Sequence, residues 1–282
     1  MSRIAARFEA LREQGRSALI PYITAGDPQP TITVPLLHAL VEAGADLLEL
    51  GVPFSDPMAD GPVIQAACER ALKHHVSLRQ VLDMVRTFRE TDARTPVVLM
   101  GYLNPIEVMG YEEFAAAAEA AGVDGLLTVD LPPEEARELV DALKAHHVDP
   151  IFLSAPNSDD KRIRFMADFA TGFLYYVSFK GVTGANRLDV QSVRDKVARI
   201  RANTSLPVGV GFGIRDAETA ARIAEFSDAV VVGSALVSRI AELADRPDEI
   251  IATAPQIIAE MRAAMDAVAA AASGRKAAVD QQ

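Results

Sequence analysis

Eight short apolar runs, at residues 18–24, 47–52, 97–102, 125–129, 150–153, 173–178, 208–211 and 229–232, recur along the chain with longer stretches between them. Runs of this length bounded by turn residues read as strands. The intervening stretches 31–43, 78–90, 111–121, 133–146, 190–202 and 217–224 carry apolar residues three and four apart, as helices with one buried face do. Strand-helix alternation repeated eight times predicts an α/β fold, a single closed parallel (β/α)8 barrel. An open doubly wound sheet is the alternative, but it normally has fewer strands and often a glycine-rich turn after the first. Here the first run ends in Thr24-Ala25-Gly26-Asp27-Pro28 instead.

Two further helices fit around this frame. Residues 4–13 precede the first strand and can cap the N-terminal mouth, while 63–74 lengthen the connection after the second. At 282 residues and 50% hydrophobic content the chain can bury one full core, and no Ser/Gly-rich linker interrupts residues 16–243. The expectation is one barrel domain over 1–270. A long helix is expected over 248–272, fraying from 267, with 271–282 a disordered tail.

Composition removes several function classes. A net charge of −11 argues against nucleic acid or an anionic membrane as the main partner, because both need clustered Lys and Arg. Neither a signal-peptide run nor a bilayer-length apolar span is seen, so the chain reads as cytoplasmic. Cys68 is the single cysteine and lies in a helical pattern as core filler. The histidines include two adjacent pairs, 74–75 and 146–147, but neighbouring residues point in different directions and no third ligand accompanies either pair. No metal site is expected.

The chemistry is concentrated in residues 48–62. Glu49 sits among Leu47, Leu48, Leu50 and Val52, close to the C-terminal end of a strand, where parallel α/β folds place catalysis. Pointing into a barrel it would lose hydration, and its pKa would rise toward the range useful for proton transfer. Asp60, in the Pro/Gly-rich loop that follows, is expected to be wetter and to stay ionised. Two acids with separated pKa values can divide the work of proton transfer and charge stabilisation.

Glycine pairs follow the last three strands: Gly181 and Gly184, Gly211 and Gly213, then Gly233 with Ser234 opening a helix. Glycine lets backbone N–H groups approach an anion, and a helix N-terminus adds favourable partial charge. Three such loops after strands six to eight match the usual phosphate site of phosphate-binding barrels.

The blocks Pro21-Tyr22-Ile23-Thr24-Ala25-Gly26-Asp27-Pro28, Glu49 to Pro62, Met100 to Pro105, Asp130-Leu131-Pro132-Pro133, Gly181 to Gly184, Gly211 to Ile214 and Gly233-Ser234-Ala235 together resemble the tryptophan synthase α subunit family over roughly residues 3–265. The resemblance implies retro-aldol cleavage of indole-3-glycerol phosphate to indole and glyceraldehyde 3-phosphate, with no cofactor or metal. It also implies delivery of indole to a separate β subunit that carries pyridoxal phosphate, in an α2β2 complex. By resemblance Glu49 carries the proton transfers, Asp60 stabilises the indole N–H and Tyr175 positions Glu49 or the substrate. Tyr22, Met100, Tyr102, Leu127, Thr183 and Phe212 would line the substrate pocket, with Tyr22 in place of the family's phenylalanine and Met100 in place of its leucine. Gly184, Gly211, Gly213, Gly233 and Ser234 would hold the phosphate, and the segment after Gly184 would form a lid. Asp56, Pro57, Asn104, Pro105, Pro132 and Pro133 would meet the β subunit. Two other readings compete: a different sugar-phosphate barrel enzyme, or a catalytically silent barrel that only binds and activates a partner.

Overall fold

Along each apolar run, alternate residues face opposite sides of the sheet, and both sides are apolar. The computed structural model describes residues 2–178, 189–211 and 213–279. Its strands are β1 Ala18–Thr24, β2 Leu48–Gly51, β3 Val97–Gly101, β4 Gly125–Thr128, β5 Asp149–Ser154, β6 Leu174–Val177, β7 Val208–Gly211 and β8 Ala229–Val232. All pair in parallel with their sequence neighbours, and β1 pairs with β8 to close the barrel. The helices are α1 Arg3–Glu13, α2 Pro30–Glu42, α3 Pro62–Leu72, α4 Leu78–Arg89, α5 Leu103–Met109, α6 Tyr111–Ala121, α7 Arg137–Ala145, α8 Asp160–Phe169, α9 Val190–Arg201, α10 Ala217–Ala224, α11 Ser234–Glu242, α12 Pro247–Thr253 and α13 Gln256–Val279.

The outward residues Leu19, Leu50, Leu99, Leu126, Phe152, Val210 and Val230 form one core with the helices. The inward residues Ile20, Val98, Leu127, Ile151, Tyr175 and Val231 form a second. Helix α1 closes the floor of that second core with Ile4, Phe8 and Leu11, and the Phe8 ring lies 5.7 Å from that of Phe173. Each fully buried side chain of this kind contributes about 1.5–3 kcal/mol.

Three aspartates lock the floor. Asp46, Asp124 and Asp228 stand just before β2, β4 and β8. Each donates its backbone N–H to a carbonyl at the start of the neighbouring strand, of Leu19, Val97 and Val208 respectively, at 2.9 Å. In return each carboxylate accepts the N–H of that same residue, at 2.9, 2.8 and 2.8 Å. Before β6 the matching donor is Thr171 and its acceptor is the Pro150 carbonyl, a joint at which no return bond can form because Pro150 has no N–H. Arginines cover the carboxylates. Arg3 and Arg89 reach Asp124 at 2.8 and 2.6 Å, Arg201 reaches Asp228 at 2.7 Å, and Asp46 pairs with Arg7 and with Arg262 of α13.

The structure departs from the sequence reading in several of the helices. The helix expected over 248–272 is two, because Pro255 lacks an N–H and crowds the preceding turn, ending α12 before α13 begins. Helix α13 then runs on to Val279, through most of the span read as a disordered tail, since its Ala-rich sequence has high helix propensity. Residues 280–282 lie outside the described residues. The helix expected from 133 begins at Arg137, after a turn in which Glu135 N–H donates to the Pro132 carbonyl. Helices α5 and α8 were not anticipated.

Helices α6 and α7 are clipped together at the surface by His146, whose two ring nitrogens lie 2.8 Å from Glu112 and Glu119. Hydrogen bonding to Glu112 and then Glu119 raises the His146 pKa, and hydrogen bonding to His146 and His147 lowers that of Glu119. The histidine's contribution is therefore fully present below its ordinary value of 6.5 and is lost as pH rises through its raised value; the glutamate's is present above 4.5 and is lost as pH falls through its lowered one. Thermal melts should show His146→Ala destabilising the protein more at pH 5.5 than at pH 8.5. An equal loss at both would mean that charge plays no part in the clip.

Candidate active site

Glu49 is inward-facing on β2, opposite Tyr22 on β1 and Val98 on β3. It is 2% exposed, and its Oε1 has no hydrogen-bond partner. Burial, with the nearby charge of Asp60 adding to it, pushes its pKa up to about 8. A carboxyl group at that value is mostly protonated at neutral pH, so it can give a proton first and take one back afterwards.

Asp60 ends the loop between β2 and α3 and is half-buried. Its Oδ2 accepts the Tyr102 hydroxyl at 2.8 Å, and that hydroxyl in turn accepts the Ala59 N–H at 3.0 Å. The sequence predicts that Asp60 is wetter than Glu49 and stays ionised. Burial instead raises its pKa, against the Tyr102 hydrogen bond, which favours the charged form. Tyr102 is itself buried, stacked on Phe54 with ring centres 5.1 Å apart. It thus holds the acid as well as forming a wall.

Tyr22 and Tyr175 are buried in the lumen, and desolvation lifts both far above the ordinary tyrosine range, so each stays a hydroxyl. The charge of Glu49 is the next cause for Tyr175, which places that phenol in its field. Both rings need glycine beneath them. A Cβ at Gly51 would overlap the Tyr22 hydroxyl, and one at Gly211 would overlap that of Tyr175. Tyr22 also lies 3.2 Å from Thr24 Oγ1. Gly51→Ala or Gly211→Ala should therefore lower stability by about 1–3 kcal/mol through overpacking. Denaturant midpoints would check this, and an unchanged midpoint would show that the rings can swing aside.

Met100 is half-buried between the lumen core and the group around Tyr22, and Leu127 is fully buried inside the barrel. Gly211 ends β7, and Gly213 follows with φ +77°, a conformation that favours glycine. Gly233 precedes α11 with no side chain capping the helix, and Ser234 is the first helical residue. A Cβ on Gly233 would meet Tyr22 Cβ at 3.9 Å, so this helix start opens beside the tyrosine wall. Thr183, Gly184, Phe212 and most of the expected lid lie outside the described residues. Among the described residues no group of three or more His, Cys, Asp or Glu is placed to hold a metal ion.

On the outer rim, Asp56 and Asn104 are exposed and Pro57, Pro105 and Pro132 half-buried, whereas Pro133 is buried within this chain. Pro133 is thus a packing residue before any partner arrives. The sequence reading missed Met58 and Val108, 86% and 81% exposed on the segments that carry Asp56 and Asn104. It also missed Phe54 and Gly51. The signal for Gly51 was its position two residues after Glu49, on the same face of the strand.

The family model for the tryptophan synthase alpha chain matches residues 8–266. The tryptophan synthase alpha chain of Thioalkalivibrio sulfidiphilus is 69% identical over 266 residues, covering 94% of this chain and 100% of that one. That of Methylococcus capsulatus is 60% identical, covering 95% and 100%. Among solved structures, tryptophan synthase subunit alpha of Legionella pneumophila superposes with a TM-score of 0.88 at 47% identity, covering 94% of this chain and 99% of that one. Tryptophan synthase of Mycobacterium tuberculosis gives 0.84 at 39% identity, covering 94% and 98%.

Proposed function

Since the chain belongs to the tryptophan synthase alpha chain family, we propose that Glu49 and Asp60 cleave indole-3-glycerol phosphate to indole and glyceraldehyde 3-phosphate. The observation that carries this reading is the buried Glu49 carboxyl, protonated near neutrality and facing the lumen beside a second, tethered acid. Glu49 donates its proton to indole C3, which leaves positive charge on the ring nitrogen. The Asp60 carboxylate faces that charge in a site partly shielded from water, where such an interaction is far stronger than in solvent. The carboxylate left on Glu49 removes the proton from the glycerol hydroxyl next to the ring. As the carbonyl forms, the carbon–carbon bond breaks, its electron pair restores the indole ring, and Glu49 is protonated again.

Tyr175 orients the substrate hydroxyl, Tyr22, Met100, Tyr102 and Leu127 enclose the indole, and the backbone N–H groups at Gly211, Gly213, Gly233 and Ser234 hold the phosphate. Thr183 and Phe212 keep the substrate-pocket roles, and Gly184 the phosphate-binding role, that the family resemblance gives them. The family works in tryptophan biosynthesis with a β subunit, which carries the pyridoxal phosphate; the alpha chain has no cofactor of its own. The β subunit docks on Asp56, Pro57, Asn104, Pro105 and Pro132, with Met58 and Val108 as apolar contacts. Stiff proline loops lose little ordering entropy on docking. No described helix is long and apolar enough to cross a membrane. We place the enzyme in the cytoplasm, as one barrel domain over residues 1–270.

Indole release from indole-3-glycerol phosphate by the purified chain, alone and with a cognate β subunit, tests the reading. Indole in neither case would refute it, and a rise in β-subunit activity without indole release would leave only the silent, activating barrel. Asp60→Asn should lower kcat by about two to three orders of magnitude. A change confined to KM would make Asp60 a binding residue.

A further inference from the structure

The loop bearing Asp60 is open to solvent, with Ser55, Asp56, Met58, Ala59 and Gly61 all exposed. An acid that must meet a developing charge gains little if its backbone wanders, since misplacement by about 1 Å can cost a hundredfold in rate. Tyr102 holds the carboxylate from the side of β3. A second side chain holds the backbone from below.

Gln65, in the first turns of α3, donates through Nε2 to the Asp60 carbonyl at 2.9 Å and reaches the Pro57 carbonyl at 3.4 Å. The Pro57 carbonyl also accepts the Asp60 N–H at 3.1 Å, so the amide ties off the turn from 57 to 60. Gln65 stands on a helix that is itself fixed. Five residues on, Arg70 makes a two-pronged ion pair with Asp27 after β1, at 2.6 and 2.8 Å, and the Asp27 side chain is only 1% exposed. Along the same helix Ile64, Ala67 and Cys68 pack with Tyr22. A donor on a helix anchored in this way sets where the loop, and with it the acid, can sit.

We propose that Gln65 is a positioning residue for Asp60, its amide fixing the backbone of the acid loop against the anchored helix α3 so that the carboxylate faces the indole N–H. This role rests on the function given to Asp60 above. Gln65→Met keeps the length of the side chain and removes both donors. It should fold, bind glycerol 3-phosphate as the wild type does, and lose about 10- to 100-fold in kcat. The deciding measurement is the same change in an Asp60→Asn background, where a residue acting only through that carboxylate has nothing left to position, so kcat should fall no further than in Asp60→Asn alone. Wild-type kcat in Gln65→Met, an equal further loss in the double variant, or weakened glycerol 3-phosphate binding would each overturn the assignment. If Asp60→Asn itself kept wild-type kcat, the role of Asp60 would have failed first and Gln65 would fall with it.

Discussion

Glu49→Gln is expected to remove nearly all indole release while making the protein more stable at pH 8. The loss follows from chemistry: the amide keeps the shape of the acid but can neither give nor take the proton, and a positioned proton-transfer group contributes about 100- to 10,000-fold. The gain follows from linkage. The folded chain holds Glu49 at about 8 against 4.5 for an ordinary glutamate, so between those values the native state binds more protons than the unfolded one. Wild-type stability therefore falls as pH rises from 4.5 through about 8, whereas a glutamine contributes no such slope. Melts of the two proteins should coincide near pH 4 and separate toward pH 8, with the variant higher. Parallel curves would mean that Glu49 titrates normally, and near-wild-type turnover would refute its catalytic role.

Asp124→Ala should give the largest loss of stability. Asp124 is buried, accepts the Val97 N–H, and holds Arg3 and Arg89, the latter with only 10% of its side chain exposed. Removing the carboxylate strands a buried N–H at a strand start together with a nearly buried guanidinium. Breaking one partner of a buried pair costs about 3–5 kcal/mol. For a domain of this size that corresponds to a fall in Tm of about 6–20 °C. Arg89 also donates to the carbonyls of Gly122, Asp92 and Thr95, so it is held in place and cannot swing out to solvent. A Tm within a degree or two of wild type would show that water replaces the carboxylate at no cost.

The strands were legible because each has apolar residues on both faces and turn residues at its ends; β1, β7 and β8 coincide with their expected limits. Helix α8 hid because only Ile163 and Met166 along it are buried, too sparse an apolar stripe to register. Helix α5 hid because Pro105 looks like a loop residue, although proline is tolerated in a first turn. In the site, Glu49 was readable from its own neighbours, since an acid inside an apolar run is conspicuous. The state of Asp60 was not. It depends on a hydroxyl 42 residues away that only the pairing of β2 with β3 brings alongside. The need for glycine at 51 was hidden for the same reason, being set by a ring on the neighbouring strand.

The aspartate clasps also bear on how such a chain closes a ring. Each links residues 27, 27 or 20 positions apart, so each joint can be made by a short stretch of chain as soon as that stretch exists. The seam between β1 and β8 joins Ala18 to Ala229 and must wait for most of the sequence. Entropy penalises long closures more than short ones, which makes local joints quick and distant ones slow. The floor of this barrel is thus laid as a series of near-neighbour fastenings, and only its final seam asks the two ends of the chain to find each other.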